Sequence, residues 1–213
     1  MKHDVIEKPP VPAWPAVTSL ARCALATGVL LAKRRIHLPR PMVGRRIRFA
    51  DGTSSTVYRE TVVDRGATRD PAVLVICFRL ALVRGRRGHA LFRRESILNT
   101  PVFVGFPGYV SKLWLRHDSR GAYRGIYEWD GPELAENYAR TLWRVVALVS
   151  VRGSIHYRVL PGLRRDEFLR DPDAVARAEV AAGDRPWWLP AYPVLSEAVP
   201  FDRMPTLPRS ARA

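Results

Sequence analysis

The run AVLVICFRLALV, residues 72–83, is the feature that most constrains how this chain folds. It is apolar at odd and even positions alike, so a β-strand built from it has no face suited to water. Such a strand belongs in the interior of a sheet that is covered on both faces. The segments around it must therefore supply that cover.

The residues that follow alternate between helical and strand-like periodicity. A turn, SRG, joins the second strand to the third, and a proline opens the second helix at a position that suits a first helical turn. The order β-α-β-β-α-β predicts an α+β fold built on a ferredoxin-like unit. After the first strand, its elements fall in residues 87–105, 109–118, 122–130, 131–150 and 153–162.

Composition divides the chain into three segments. Residues 1–71 form an N-terminal arm with an apolar helix candidate, residues 16–32, and a β-hairpin around an Asp-Gly turn. Residues 72–162 form the ferredoxin-like domain. Residues 163–213 form a helical extension rich in Pro and Trp, which we expect to wrap the protein's own domain or that of a partner. The alternative is a polyproline-like peptide that another protein binds.

The two helices of a ferredoxin-like unit cover one face of its sheet, and the other face here would be too aromatic to remain in water. Two such sheets can close face to face. We therefore predict a homodimer in which the units form a dimeric α/β barrel.

The chain is strongly basic, with 35 Lys and Arg against 20 Asp and Glu. Excess arginine is compatible with nucleic acid, with an anionic membrane surface, or with arginines spread over solvated faces. No specific nucleic-acid partner is predicted, because no basic run is interleaved with a nucleic-acid-binding motif. Residues 16–32, followed by Lys33, Arg34 and Arg35, are expected to pack on the protein, with membrane-surface contact as the alternative.

Two cysteines, Cys23 and Cys77, are too few for a cysteine-based metal site, and no set of His and carboxylate residues has the spacing of metal ligands. No metal is predicted. The basic residues follow the N-terminal apolar segment, whereas in a secretory signal they precede it. We expect a cytoplasmic protein.

The motifs FPGYVSKLWL and YRGIYEWDGPELAENY resemble the YdhR-like monooxygenases of the dimeric α/β-barrel superfamily. The resemblance covers residues 72–162, somewhat under half the chain. It is carried by a Pro-Gly pair before the second strand, a Lys-x-Trp within it and a Gly-Ile-Tyr in the third strand. These positions are Pro107, Gly108, Lys112, Trp114, Gly125, Ile126 and Tyr127.

The resemblance implies an oxidoreductase that uses no cofactor, in which the carbanion of a small aromatic or polyketide-like substrate reduces oxygen. Such an enzyme needs a base, an anion stabiliser and a dry aromatic cavity. The catalytic candidates are His156 as the base, with Arg124 or Lys112 stabilising the anion. The candidate substrate-binding walls are Trp114, Tyr127 and Trp129. The alternative is a non-catalytic dimeric protein whose aromatic residues are core.

Overall fold

The computed structural model describes residues 9–81, 103–181 and 183–195. The helices are α1 (Ala13–Ala32), α2 (Pro132–Ala147), α3 (Arg165–Arg170) and α4 (Pro172–Glu179). The strands are β1 (Ile36–His37), β2 (Arg46–Arg48), β3 (Ser54–Val63), β4 (Pro71–Arg79), β5 (Tyr109–Leu115), β6 (Ala122–Asp130) and β7 (His156–Pro161).

The strands form a sheet in the order β1-β3-β5-β6-β4-β7, with antiparallel pairing between neighbours, and β2 pairs with β3. Within it, β4, β5, β6 and β7 are the strands of the predicted ferredoxin-like unit, with its first and third strands in the centre. The mixed α+β fold and the strand order of this unit are confirmed. The first predicted helix, residues 87–105, lies largely outside the described residues.

Strand β3 extends this unit at one side. The predicted hairpin forms at Asp51 and Gly52, where Gly52 takes a φ of 82° that suits glycine in a tight turn. After the turn, β3 pairs along β5. Lys112 is therefore not an edge-strand residue, because β5 lies between β3 and β6.

Each face of the sheet carries its own hydrophobic cluster. The face beneath α1 and α2, here called the α2 face, is rich in aromatic residues from β5, β6 and α2. The opposite face, here called the C-terminal face, is aliphatic on the sheet and is covered by α3, α4 and residues 187–195. Its fully buried covering side chains include Phe168 and Leu169.

The C-terminal face bears directly on the predicted dimer. We expected it to be bare and to seek a second copy, but the chain's own C-terminal segment occupies it: Leu189 O accepts a hydrogen bond from Ala50 N, and Leu169 O accepts one from Val194 N. The physical reason given for the dimeric barrel is therefore removed. Homodimerisation itself stays a prediction.

Helix α1 packs on the protein through its narrow side, which buries Ala16, Cys23 and Thr27. The contact is very close at Gly105, where a β-carbon would lie 2.0 Å from the Cys23 carbonyl oxygen and 2.6 Å from Thr27 Oγ1. Only glycine allows this approach.

Gly105→Ala is therefore expected to push α1 away from the α2 face and to lower the free energy of unfolding by about 1–3 kcal/mol, the usual cost of overpacking. Urea titration followed by circular dichroism measures the change. Gly153→Ala is the control. An alanine there meets no neighbouring atom, but the φ of 69° at this position strains any residue other than glycine. If Gly105→Ala lowered the free energy of unfolding no more than Gly153→Ala does, the close contact between α1 and Gly105 would be contradicted.

Candidate functional site

Lys112 occupies the middle of β5, opposite Thr61 of β3 and Tyr127 of β6. Residues two apart on a strand point to the same face, so Lys112 shares the α2 face with Trp114. Its side chain is only 6 % exposed, which is unusual for lysine. The sequence motif therefore places an amine inside the aromatic cluster.

Three aromatic rings surround this amine. Lys112 Nζ lies 3.1 Å from the ring centroid of Trp114, 4.6 Å from that of Tyr127 and 5.0 Å from that of Phe103. The π faces of such rings attract a cation, and they offer no hydrogen-bond acceptor to a neutral amine. No ion pair or hydrogen bond to the side-chain amine of Lys112 occurs within the described residues.

The charged form of Lys112 is disfavoured. Burial holds the pKa of its amine well below the usual 10.5, and the positive charge of Arg59 lowers it further. The Arg59 guanidinium lies against the same indole, 3.8 Å from the Trp114 ring centroid. Lowering the pKa raises the fraction of the amine that is neutral, and a neutral lysine carries a lone pair that can act as a base or a nucleophile.

Hydroxyl and indole groups complete the polar part of the cluster. Tyr127 and Tyr138 bring their hydroxyl oxygens to 3.4 Å of each other, and burial raises the pKa of both phenols. Both therefore remain protonated donors. Trp114 Nε1 donates to Thr61 Oγ1 at 3.0 Å, whereas the buried Nε1 of Trp129 has no partner within the described residues.

At Gly125 the backbone is closely approached by the ring of Tyr127. A β-carbon at Gly125 would lie 2.7 Å from Cε2 of Tyr127. The ring of Tyr127 thus folds back over its own strand toward Lys112. Glycine at this position shapes the cluster.

Arg124 does not belong to this site, which corrects the prediction that it stabilises a substrate anion beside Tyr127. Arg124 points to the C-terminal face, where its side chain is 2 % exposed. Nη1 lies 2.5 Å from Asp118 Oδ2, Nη2 lies 3.1 Å from Asp51 Oδ2, and the guanidinium stacks 4.4 Å from the Phe49 centroid. Its charge is already matched by two carboxylates.

His156 is also separated from Lys112, so the predicted chamber that joined His156 to Trp114 and Tyr127 is not formed. His156 is exposed at the start of β7, with its ring centroid 6.1 Å from that of Trp187. The adjacent Tyr157 points instead into the aromatic cluster of the α2 face. The structure thus brings together Lys112, Trp114, Tyr127 and Trp129 and leaves out Arg124 and His156.

Sequence reasoning missed three members of the cluster. Phe103 precedes β5, Arg59 comes from the N-terminal hairpin, and Tyr138 lies on α2. The signal available for Tyr138 was its position on the buried face of α2. Nothing in the sequence indicated that Arg59 would face Trp114, because that contact depends on the pairing of β3 with β5.

A groove of about 550 Å³ lies on the other side of the sheet, lined by residues that include Arg158, Glu179, Trp187 and Trp188. Within it, Arg158 Nη2 lies 2.7 Å from Glu179 Oε2. The Lys112 cluster, by contrast, holds a buried amine whose pKa is lowered. We therefore take Lys112 as the centre of the candidate site.

No protein-family model matches the chain, and no curated protein sequence matches it. Among solved structures, the chain is similar to an uncharacterised ferredoxin-fold protein related to antibiotic biosynthesis monooxygenases from Listeria monocytogenes (15 % identity, TM-score 0.38). That match covers 52 % of this chain and 64 % of the Listeria chain.

A monooxygenase-like protein from Listeria innocua matches at 14 % identity and TM-score 0.38, over 53 % of this chain and 66 % of the other. A major regulator of staphylococcal pathogenesis matches at 11 % identity and TM-score 0.36, over 64 % and 90 %. The assignment of the ferredoxin-like unit rests on the strand order of the chain itself.

Proposed function

We propose that the protein binds a small, weakly acidic aromatic or polyketide-like molecule at the α2 face and acts as a cofactor-independent monooxygenase of the YdhR-like kind. The observation that carries the proposal is the buried amine of Lys112, enclosed by aromatic rings and without a carboxylate partner among the described residues. Burying a lysine in this way lowers the stability of the fold, and strongly perturbed buried groups of this kind are typical of functional sites.

Lys112 acts as the general base in this proposal. A proton moves from an acidic C–H of the substrate to Nζ, and the electron pair of that bond remains on the substrate as an enolate. The resulting ammonium lies among the rings of Trp114, Tyr127 and Phe103, which stabilise a cation. The enolate and the ammonium form an ion pair in a site of low dielectric constant.

Molecular oxygen is the oxidant. The enolate transfers electrons to O₂, an activated CH₂ group becomes a carbonyl, and the second oxygen atom leaves as water. The buried N–H of Trp129 and the phenol hydroxyls of Tyr127 and Tyr138 are the hydrogen-bond donors available to the developing oxyanion. The aromatic walls exclude the water that would otherwise protonate the enolate.

The test uses anthrone, an aromatic ketone with an acidic CH₂ group, as the probe. We expect the full chain to consume one O₂ for each anthraquinone formed, measured with an oxygen electrode and by absorbance. Lys112→Met is expected to lower turnover by about 10²–10⁴-fold, the usual contribution of a general base.

Lys33→Met is the matched control, because Lys33 is exposed after the last turn of α1. His156→Ala should leave turnover unchanged, and equal turnover of the Lys112 and Lys33 variants would contradict the proposal.

The stability of Lys112→Met provides a test that needs no substrate. Because the folded-state pKa of Lys112 lies below its usual 10.5, the unfolded chain binds more protons between these two values. The stability of the wild-type protein therefore rises with pH in that window relative to the variant. We expect the methionine variant to be more stable at neutral pH and the difference to shrink as the pH approaches 10.5, by urea titration. If the stability difference between Lys112→Met and the wild-type protein did not change with pH, the pKa of Lys112 would not be lowered and the proposal would be contradicted.

The alternative function is a non-catalytic binding or interaction protein, in which the aromatic cluster is only core. It predicts that the anthrone assay shows no turnover and that no weakly acidic aromatic compound raises the melting temperature. Trp114→Ala would then cost the few kcal/mol of a filled core position, about 3–5 kcal/mol, without any loss of ligand binding.

A further inference from the structure

Helix α1 leaves most of its surface in contact with solvent although Arg22 is its one charged residue. Of its most apolar window of 18 residues, only 22 % is buried, and by length and composition alone the helix could cross a membrane. Trp14, Val17, Leu25 and Val29 are 77 %, 56 %, 76 % and 53 % exposed. A helix that is apolar all round is normally buried or in contact with lipid.

Four of the five large exposed hydrophobic residues of α1, all except Leu31, lie in one stripe. Trp14, Val17, Ala21, Leu25 and Val29 follow each other at intervals of three or four residues, so they lie along one side of the helix. The buried residues Ala16, Cys23 and Thr27 lie along the opposite side. We call the exposed stripe the outer face of α1.

Positive charge lies at the C-terminal end of this stripe. Lys33, Arg34 and Arg35 are all exposed and follow the last helical turn directly, and Arg22 is exposed within the helix. Arg34 takes a φ of 52°, so the chain turns away from the helix axis at the cluster of charges. Trp14 stands at the other end, and tryptophan favours the boundary between lipid and water.

We propose that α1 is a membrane-surface anchor, with its outer face in the headgroup region of an anionic bilayer and Lys33, Arg34 and Arg35 in contact with lipid phosphates or carboxylates. The complementarity of the basic cluster with anionic lipid distinguishes this partner from a second copy of the chain, which carries the same net charge of +15. This proposal does not depend on the function of Lys112.

The helix lies along the surface and does not span the bilayer while the fold is intact. Its inner side remains docked, since the Cys23 carbonyl packs directly against Gly105. Arg140 Nε and Arg144 Nε of α2 donate hydrogen bonds to Pro9 O and Val11 O, which hold the chain just before the helix. Only the outer half of α1 is available to lipid.

Flotation of the full chain with vesicles tests the anchor. We expect capture by phosphatidylcholine vesicles that contain about 30 % phosphatidylserine, weak capture by pure phosphatidylcholine, and loss of capture at high salt. Leu25→Glu should weaken capture by about tenfold or more, because it places a charge in the immersed stripe. Leu148→Glu is the matched control, since Leu148 is 83 % exposed beyond the end of α2.

The charge contribution has its own pair of variants. Lys33→Gln with Arg35→Gln should weaken capture by the anionic vesicles, whereas Arg46→Gln with Arg48→Gln removes the same charge from exposed residues of β2 and should not. Circular dichroism confirms that each variant is folded. The proposal would be overturned if both vesicle types captured the protein equally, if the two pairs of variants had equal effects, or if no vesicle captured the protein. A dimer in light scattering without lipid that Leu25→Glu converts to a monomer would also overturn it.

Discussion

Arg124→Met is expected to lower the free energy of unfolding by about 3–5 kcal/mol, because it leaves a buried carboxylate without its counter-charge. The side chain of Asp118 is 0 % exposed and that of Arg124 is 2 % exposed. Asp118 Oδ1 also accepts hydrogen bonds from the backbone N–H groups of Arg120 and Ala122, so it is fixed in the turn between β5 and β6. It cannot move to water when Arg124 is lost.

Arg120→Met is the control for this variant. Arg120 also faces Asp51, at 3.7 Å, but its side chain is 64 % exposed. A solvated pair of this kind contributes about 0–1 kcal/mol. Urea titration of both variants at neutral pH measures the difference. Similar small losses in the two variants would show that the Arg124 pair contributes little.

A second variant separates the buried charge from the lost packing. Asp118→Asn keeps an oxygen that can accept the turn hydrogen bonds but removes the negative charge. Combined with Arg124→Met, it is expected to restore part of the lost stability, since no unpaired charge remains. A double variant less stable than Arg124→Met alone would mean that Arg124 acts mainly by packing on Phe49, from which it lies 4.4 Å.

Phe168→Ala is expected to cost about 3–5 kcal/mol, as is usual when a buried phenylalanine is truncated. Phe168 of α3 is completely buried against the C-terminal face, in one cluster with Val73, Val75 and Leu113. Leu148→Ala, at an exposed position, should change stability by about 0.5 kcal/mol or less. Guanidinium titration measures both changes.

Ending the chain at Gly162 removes the whole cover of the C-terminal face. We expect the shortened chain to bind a hydrophobic dye and to associate in light scattering, because Val73, Val75 and Ile126 would then face water. Association of this kind would resemble the face-to-face dimer predicted for the whole chain. A shortened chain that stays monomeric and as stable as the full chain would show that the extension is dispensable.

Elements whose pattern depends on near neighbours along the chain could be predicted from the amino-acid sequence. Strand β6 was predicted at residues 122–130 and occurs there, because a glycine turn precedes it and a Gly-Pro pair follows it. Helix α2 and the Asp51–Gly52 turn follow from equally local chemistry. The alternation along β6 already placed Arg124 and Tyr127 on opposite faces, so their assignment to one site was avoidable.

The environment of each candidate functional residue, in contrast, depends on long-range contacts in the fold. Lys112 is a buried base candidate because β3 from the N-terminal arm pairs with β5, and that pairing joins residues about 50 positions apart. The cover of the C-terminal face likewise comes from residues 163–195, remote in sequence from the strands that they bury. Burial and pKa depend on all neighbours in space, whereas periodicity reports only neighbours along the chain.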